Sequence, residues 1–314
     1  MPKPERFWKA TKYPLSWKNN EMTGKIIKGI AGFYYVHDGK NRIYECRAKG
    51  IFRSRKIKPL VGDDVEFTVL DDGTGEGNID NILPRKNQLI RPAAANVDQA
   101  MVVFAIPHPE PNQNLLDRFL VMMGAEEIPV IICFNKVDLC GRELSDSYRA
   151  IYEPAGYQTV FISTYEETGM KELGQLLRGK TTVLAGPSGV GKSSLTNLLL
   201  PEAGMETGGI SEKIQRGRHT TRHSQLFCVE ENTYLMDTPG FSSLSLDMEP
   251  QRLKDYFAEF APYEEECKFL GCVHVGEKVC GVKEALKSGK LSKNRYDNYL
   301  QIYGELKEKE RRKY

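Results

Sequence analysis

The chain has 314 residues, more than one average domain holds, so we expect two or three domains that each bury a core. Hydrophobic residues make up 40% and charged residues 27%, and the sequence has no run of 18 apolar residues that would cross a membrane. The net charge of +2 does not by itself indicate a nucleic-acid partner, so a signal of that kind has to be local.

Residues 1–21 are predicted to form a mobile basic arm. The segment shows no periodicity and lacks the continuous apolar stretch of a secretory signal, so we expect a cytoplasmic protein. Its positive charges either contact RNA phosphates or face solvent. They are Lys3, Arg6, Lys9, Lys12 and Lys18, against Glu5 alone.

The pattern of residues 22–90 predicts a small β-barrel. Five short alternating runs are separated by Gly, Asp and Asn turns, at residues 24–28, 32–37, 42–48, 64–69 and 77–83. An oligonucleotide-binding (OB) fold has this strand count, although periodicity alone does not fix the barrel type. A basic segment at residues 53–58 would lie on a loop, where it contacts phosphates or remains solvated.

Residues 91–248 alternate between strand-like and helix-like patterns. Near-continuous apolar runs at 97–106 and 129–134 are typical of buried parallel strands, and further strands are predicted at 159–162, 181–185 and 233–236. Helical patterns occupy 114–126, the stretch up to about 155, 170–177 and 194–200. This alternation predicts a doubly wound parallel sheet.

A phosphate-binding loop of the pattern GxxxxGKS lies between a predicted strand and a predicted helix. Its glycines let successive backbone N–H groups face a polyphosphate, Lys192 would reach the β- and γ-phosphates, and Ser193 would ligate Mg²⁺. The alternative is an ordinary glycine-rich turn. The predicted GTP-binding residues of the loop are Gly186, Pro187, Ser188, Gly189, Val190, Gly191, Lys192, Ser193 and Ser194.

Asn135, Lys136, Val137 and Asp138 follow the second buried run. A carboxylate there can accept hydrogen bonds from N1–H and the exocyclic amine of guanine, and adenine would leave Asp138 unpaired. Asn135 can support the loop, and the stem of Lys136 can pack on the base. Together with a phosphate loop, these residues favour GTP over ATP.

Asp237 ends a predicted strand and begins the run Asp-Thr-Pro-Gly. Its carboxylate can hold the Mg²⁺ shell while the Gly240 N–H approaches the γ-phosphate, although an ordinary turn gives the same pattern. Upstream, the polar segment 216–222 suits a mobile switch whose threonine completes the Mg²⁺ shell. The sequence does not separate Thr220 from Thr221, and a basic surface loop is the alternative.

Phe241 stands where many GTP hydrolases carry the glutamine that orients the attacking water. This substitution indicates either a slow intrinsic rate or another water-positioning group. His219 is the candidate catalytic residue, because a near-neutral imidazole can orient or deprotonate water. Contact of His219 with an RNA or protein partner is the alternative.

The C-terminal part, residues 249–314, has mixed helical patterns around a cluster of cysteine and histidine. The spacing Cys-x4-Cys-x-His-x5-Cys supplies three thiolates and one imidazole, a full set for one structural tetrahedral Zn²⁺. Buried reduced thiols with a surface histidine are the alternative. The predicted ligands are Cys267, Cys272, His274 and Cys280.

The order of these motifs is unusual. The base-reading residues 135–138 and the pair Ser163–Thr164 precede the phosphate loop, whereas ordinary small GTPases carry them after it. With a barrel before and a Cys/His cluster after this permuted unit, residues 22–300 resemble the bacterial ribosome small-subunit-dependent GTPase A family.

This resemblance implies a multidomain α/β protein: an N-terminal OB-like barrel, a central circularly permuted GTPase domain with a parallel sheet, and a C-terminal helical zinc domain. It also implies binding to the small ribosomal subunit and its rRNA late in maturation, GTP hydrolysis stimulated by that subunit, and participation of His219. Thr164 departs from the family, which usually has Ala after Ser163. Because that loop contacts guanine mainly through backbone, we expect little change.

The leading hypothesis is therefore a monomeric, rRNA-binding GTP hydrolase that acts in assembly of the small subunit. A second hypothesis is an RNA-binding scaffold in which GTP is a structural ligand. A third is a GTPase of translation or of the large subunit.

Overall fold

The computed structural model describes residues 21–40, 42–71, 73–90, 92–200, 225–237 and 246–312. The predicted basic arm, except for Glu21, lies outside these residues. Within them, no helix is both long and apolar enough to span a membrane.

The N-terminal unit is a closed barrel of five strands in the order β1-β2-β3-β5-β4. Strands β3 and β5 pair in parallel and the other neighbours are antiparallel. All five predicted strands are confirmed, and the barrel is OB-like. The basic segment 53–58 begins in a helical turn, α1 (Ile51–Ser54), and not wholly in a loop. The strands are β1 (Glu21–Ile30), β2 (Phe33–His37), β3 (Ile43–Ala48), β4 (Asp64–Asp71) and β5 (Glu76–Ile82).

A short linker joins the barrel to the central unit. It contains a two-stranded ribbon, β6 (Gln88–Leu89) and β7 (Ala94–Ala95). Arg85 ties its start to the barrel, since its Nε donates to the fully buried Asp63 carboxylate at 2.6 Å.

The central unit is a six-stranded sheet in the order β10-β9-β8-β11-β13-β12, with helices on both faces. Alternate residues of β8 point to opposite sides, where Met101 packs with α4 and α5 and Val102 packs with α2 and α3. This arrangement confirms the doubly wound prediction. The strands are β8 (Gln99–Ala105), β9 (Val130–Asn135), β10 (Gln158–Phe161), β11 (Thr181–Ala185), β12 (Leu226–Glu230) and β13 (Thr233–Asp237). The helices are α2 (Gln113–Ala125), α3 (Arg142–Tyr152), α4 (Met170–Leu177) and α5 (Lys192–Leu199).

Strand β12 was not predicted. It lies at the edge of the sheet and pairs antiparallel with β13, while the other five strands are parallel. Its outer neighbour is the barrel, because Lys28 of β1 forms an isolated antiparallel bridge with Gln225.

The barrel and the sheet share one hydrophobic core. Ile27, Tyr35 and Ile43 of the barrel pack in the same cluster as Tyr234 and Met236 of β13. His37 is buried there, and its Nδ1 lies 2.9 Å from the Tyr234 hydroxyl. The contact between His37 and Tyr234 therefore helps to hold the barrel against the sheet.

The C-terminal unit is helical, as predicted. Two 3-10 segments, Pro250–Tyr256 and Ala258–Phe260, lead into α6 (Ala261–Glu264), and α7 (Gly281–Lys287) and α8 (Lys293–Arg311) follow the Cys/His cluster. Its core includes Val121 of α2, so the unit is packed on the central domain.

Candidate functional site

The predicted nucleotide-binding residues lie at one edge of the central sheet. Strands β9, β10, β11 and β13 are parallel, and their carboxyl ends lead to Asn135, Ser163, Gly186 and Asp237 respectively. Asp237 pairs in register with Leu184, two residues before the phosphate loop. In open α/β sheets, ligands bind at this edge.

The phosphate loop needs glycine at specific positions. Gly186 and Gly191 have φ values of 137° and 96°, which side chains rarely adopt. A Cβ at Gly186 would lie 2.2 Å from the Val103 carbonyl oxygen, and one at Gly191 would lie 2.2 Å from Asn135 Nδ2. The glycines therefore let the loop pack directly on strand β8 and on the base-reading loop.

Lys192 curls back into this loop. Its Nζ donates to the carbonyl oxygens of Gly186 at 2.7 Å and Pro187 at 2.6 Å. Helix α5 starts at Lys192, so the ammonium and the positive end of the helix dipole act on the same space. This arrangement suits an anion such as a polyphosphate.

The predicted base-reading residues are held by hydrogen bonds to neighbouring loops. Asp138 lies in a 3-10 turn, Val137–Leu139, and its Oδ1 accepts a hydrogen bond from the Ser163 hydroxyl at 2.5 Å. Lys136 has a φ of 68°, and its Nζ donates to the carbonyl oxygens of His108 and Gly189. The side chain of Lys136 thus extends from the base-reading loop to the phosphate loop.

The residues predicted to act on Mg²⁺ and on the attacking water fall mostly outside the part of the chain that the structure describes. His219, Thr220, Thr221, Gly240 and Phe241 lie outside the described residues, and so does the side chain of Asp237. Their predicted functions in Mg²⁺ binding and hydrolysis stay predictions.

The four predicted metal ligands lie together, with their ligand atoms within 4.8 Å of one another. Cys267 Sγ is 3.9 Å from Cys280 Sγ, and His274 Nδ1 is 3.4 Å from Cys280 Sγ and 3.7 Å from Cys267 Sγ. A tetrahedral zinc ion with Zn–S bonds of about 2.3 Å and a Zn–N bond of about 2.0 Å separates sulfurs by about 3.8 Å and sulfur from nitrogen by about 3.5 Å. The cluster therefore fits such an ion, and the alternative with a surface histidine is wrong because His274 is fully buried.

A carboxylate outside the predicted set orients the imidazole. Glu264 Oε1 lies 3.0 Å from His274 Nε2, so the ring donates from Nε2 and presents Nδ1 to the thiols. Burial raises the pKa of Glu264, but hydrogen bonds from His274 and Lys254 outweigh burial and lower the pKa below its ordinary value. Glu264 is therefore ionised at neutral pH, as a partner of a metal-bound histidine should be.

Burial affects the protonation of the cluster's thiols. Burial raises the pKa of Cys272 to about 12, so the free thiol stays protonated near neutral pH. A divalent cation would displace the protons and neutralise the thiolates, which makes metal binding and folding of this unit interdependent.

Comparison with known proteins agrees with this arrangement. A family model described as RsgA GTPase matches residues 82–247, and another, described as RsgA N-terminal domain, matches residues 23–77. The chain belongs to the RsgA GTPase family. It is therefore a GTPase, as the motifs predict.

Two relatives of the RsgA family are similar along most of their length. The protein from Agathobacter rectalis is 54% identical over 301 residues, covering 92% of this chain and all of the relative. The protein from Alkaliphilus metalliredigens is 51% identical over 289 residues, covering 92% of this chain and 99% of the relative. Both are named small ribosomal subunit biogenesis GTPase RsgA.

Two solved structures share the fold. YloQ, described as a circularly permuted GTPase, has 38% identity and a TM-score of 0.76, covering 93% of this chain and 96% of YloQ. YjeQ from Thermotoga maritima has 35% identity and a TM-score of 0.75, covering 91% of this chain and 98% of YjeQ. The predicted permutation is thereby confirmed.

Proposed function

We propose that this GTPase assists late assembly of the small ribosomal subunit in the cytoplasm, and that the subunit stimulates its GTP hydrolysis. The observation that carries the proposal is the union, in one chain, of a phosphate loop at the edge of a parallel sheet with a closed five-stranded barrel before it and a Cys/His cluster after it. The names of the relatives support the same activity and the same target. We expect the protein to act as a monomer.

In this proposal, backbone N–H groups of residues 186–194 and the Lys192 ammonium hold the phosphates of GTP. Asp138 accepts hydrogen bonds from the guanine edge, supported by Asn135, Lys136 and Ser163. Mg²⁺ is held by Ser193 and Asp237, with Thr220 or Thr221 completing its shell. His219 orients the attacking water in place of a glutamine at position 241.

RNA contact is proposed for the open part of the barrel. OB folds bind oligonucleotides on strands 2 and 3 and the adjoining loops. Here Tyr35 and Ile43 of that face are buried against the central sheet, which leaves Phe33 and Arg47, whose guanidinium lies 4.8 Å from the Phe33 ring centre. The exposed side chains of Arg55, Lys56 and Lys58, in the connection between β3 and β4, add positive charge to the barrel. They are suited to phosphates, as the Phe33 ring is to a base.

The metal of the C-terminal unit is proposed to be one structural Zn²⁺. A donor set of three thiolates and one imidazole, without an open position, matches zinc better than a hard cation. Such an ion would hold the loop from Cys267 to Cys280 against α7 and α8, because Cys272 and Cys280 belong to the core of this unit.

The decisive experiment is single-turnover GTP hydrolysis by the full chain, alone and with small or large ribosomal subunits. We expect acceleration by small subunits only, by at least about tenfold. That factor corresponds to about 1.4 kcal/mol of added transition-state stabilisation. His219→Ala should remove the acceleration. If small subunits bind without accelerating hydrolysis, the scaffold hypothesis is correct instead, and acceleration by large subunits would contradict the proposal.

A further inference from the structure

Thr164 contacts Asn135 through both its backbone and its side chain. The Thr164 N–H donates to Asn135 Oδ1 at 3.1 Å, and the Thr164 hydroxyl oxygen accepts from Asn135 Nδ2 at 3.2 Å. The backbone contact needs no particular residue at position 164, but the second contact needs a hydroxyl. Thr164 therefore contributes more through its side chain than the sequence led us to expect.

The Asn135 side chain is fully buried, and each of its hydrogen-bonding positions has a partner. Its amide nitrogen donates to the Val190 carbonyl at 2.9 Å and to the Thr164 hydroxyl, and its oxygen accepts from the N–H groups of Lys136 at 2.8 Å and Thr164. A buried amide N–H without a partner is costly. Without the Thr164 hydroxyl, one N–H of Asn135 would lose the acceptor that it has here.

Asn135 is also the point at which three loops meet. It belongs to the base-reading loop, Thr164 to the loop after β10, and Val190 to the phosphate loop. The three loops are tightly packed, because a Cβ at Gly191 would lie 2.2 Å from Asn135 Nδ2 and 3.7 Å from Thr164 Oγ1. A change in the Asn135 amide therefore displaces both the base-reading and the phosphate-binding loops.

We infer that Thr164 is a positioning residue, whose hydroxyl fixes the Asn135 amide, keeps the two loops pre-organised and slows nucleotide release. The inference rests on the proposed GTP site. Thr164 acts through Asn135, so it affects retention of the nucleotide and not the choice of base. Pre-organisation of this kind strengthens binding without a new contact to the ligand.

The test measures release of a fluorescent GDP analogue from the full chain, with thermal unfolding recorded for each variant. Thr164→Val keeps the shape and removes the hydroxyl, whereas Thr164→Ser keeps the hydroxyl. Thr159→Val is the matched control, because Thr159 is a buried threonine of β10 whose hydroxyl donates to Glu153 at 2.6 Å, away from these loops.

We expect Thr164→Val to release GDP about tenfold faster, as loss of one satisfied buried hydrogen bond implies. Thr164→Ser should stay close to the parent, and Thr159→Val should alter the unfolding temperature without altering release. Equal release by Thr164→Val and the parent would overturn the inference, as would equal acceleration by Thr164→Ser or by Thr159→Val.

Asp138→Asn separates this inference from the proposed function. That variant should shift preference from GDP to xanthosine diphosphate, and in its background Thr164→Val should speed release of xanthosine diphosphate by the same factor. A normal shift by Asp138→Asn with no effect of Thr164→Val leaves the GTP site intact and refutes only the positioning by Thr164. Retained guanine preference in Asp138→Asn would instead refute the proposed base-reading loop.

Discussion

At the scale of single residues, the Cys/His cluster includes Glu264 as well as its four predicted ligands, because Glu264 contacts His274. Glu264 Oε1 and Oε2 accept from Lys254 Nζ at 3.0 and 3.1 Å, which fixes the carboxylate opposite His274. The imidazole is therefore held in one orientation before any metal arrives. Such outer partners set the tautomer of a ligating histidine and raise its basicity.

We predict that Glu264→Ala weakens zinc affinity by about 10- to 100-fold, because His274 loses the partner that orients it. Competition against a chromophoric chelator measures the affinity, and the absorption spectrum of the Co²⁺-substituted protein reports whether the ligand set is intact. Glu265→Ala is the matched control, since Glu265 is the next residue and is exposed. Equal affinities in the two variants would show that Glu264 does not support the site.

The sequence predicted the ligands but not this partner. Three thiols and a histidine within 14 residues are a recognisable donor set, since few other functions bring them together. Glu264, in contrast, is the first of three consecutive glutamates, and no spacing rule distinguishes it from Glu265 or Glu266. Thr164 is similar, because only the fold brings its hydroxyl to an amide 29 residues away.

At the scale of elements, helix α8 is joined to α2 by a buried ion cluster. Arg295 of α8 is 2% exposed and donates to Asp117 of α2 at 2.5 Å and to Glu259 at 2.7 Å. Asn298 donates to the other oxygen of Asp117. Burial raises the pKa of Asp117, and the Arg295 charge acts in the opposite direction. The contact between α8 and α2 thus depends on the Arg295 charge to balance the buried carboxylates of Asp117 and Glu259.

We predict that Arg295→Met lowers the free energy of unfolding by about 3–5 kcal/mol at neutral pH, because it leaves buried carboxylates unpaired. Denaturant unfolding measures the loss. Lys293→Met is the control, since Lys293 forms an exposed pair with Asp297 on the same helix, and its loss should cost less than about 1 kcal/mol. Similar losses in the two variants would contradict the prediction.

The loss in Arg295→Met should also depend on pH. Without Arg295 the folded-state pKa of Asp117 rises further above its unfolded value, so the folded protein binds a proton that the unfolded chain does not. Stability then increases as pH falls through the folded pKa, and the deficit should be smaller at about pH 5 than at about pH 8. A deficit that grows on acidification would rule out an unpaired Asp117 as its cause.

Elements were predictable where one periodicity persisted. The apolar run of β8 and the alternating runs of the barrel are sequence patterns that few structures other than strands contain. Both were predicted correctly. Strand β12 is only five residues long and depends on its pairing with β13 and the nearby barrel. The pair Asp117 and Arg295 is separated by 178 residues, so no local pattern contains it.

At the scale of the whole molecule, the permuted order leads the chain from the predicted nucleotide site directly into the C-terminal unit that contains the Cys/His cluster. After Asp237 ends β13, the described chain resumes at Leu246, which is buried in one core with Leu253, Val121 of α2 and Leu306 of α8. Lys309 of α8 donates to the Leu246 carbonyl at 2.9 Å. Leu246 and Leu253, which follow the predicted nucleotide site in the chain, are therefore packed between α2 and α8.

This packing predicts which residues change their hydrogen exchange when the bound nucleotide changes. Replacing GDP by a non-hydrolysable GTP analogue should alter amide hydrogen exchange in residues 246–253, because they follow the motif proposed to contact the γ-phosphate. Residues 296–306 of α8 should keep their protection, since Arg295 and the shared core hold that helix on α2 in either state. Exchange measured by mass spectrometry in both states tests this, with strand β4 as the internal reference.

Unchanged exchange in residues 246–253 would exclude this segment as the route from the nucleotide to the C-terminal unit. Loss of protection in α8 would instead mean that the C-terminal unit separates from α2 when GTP binds.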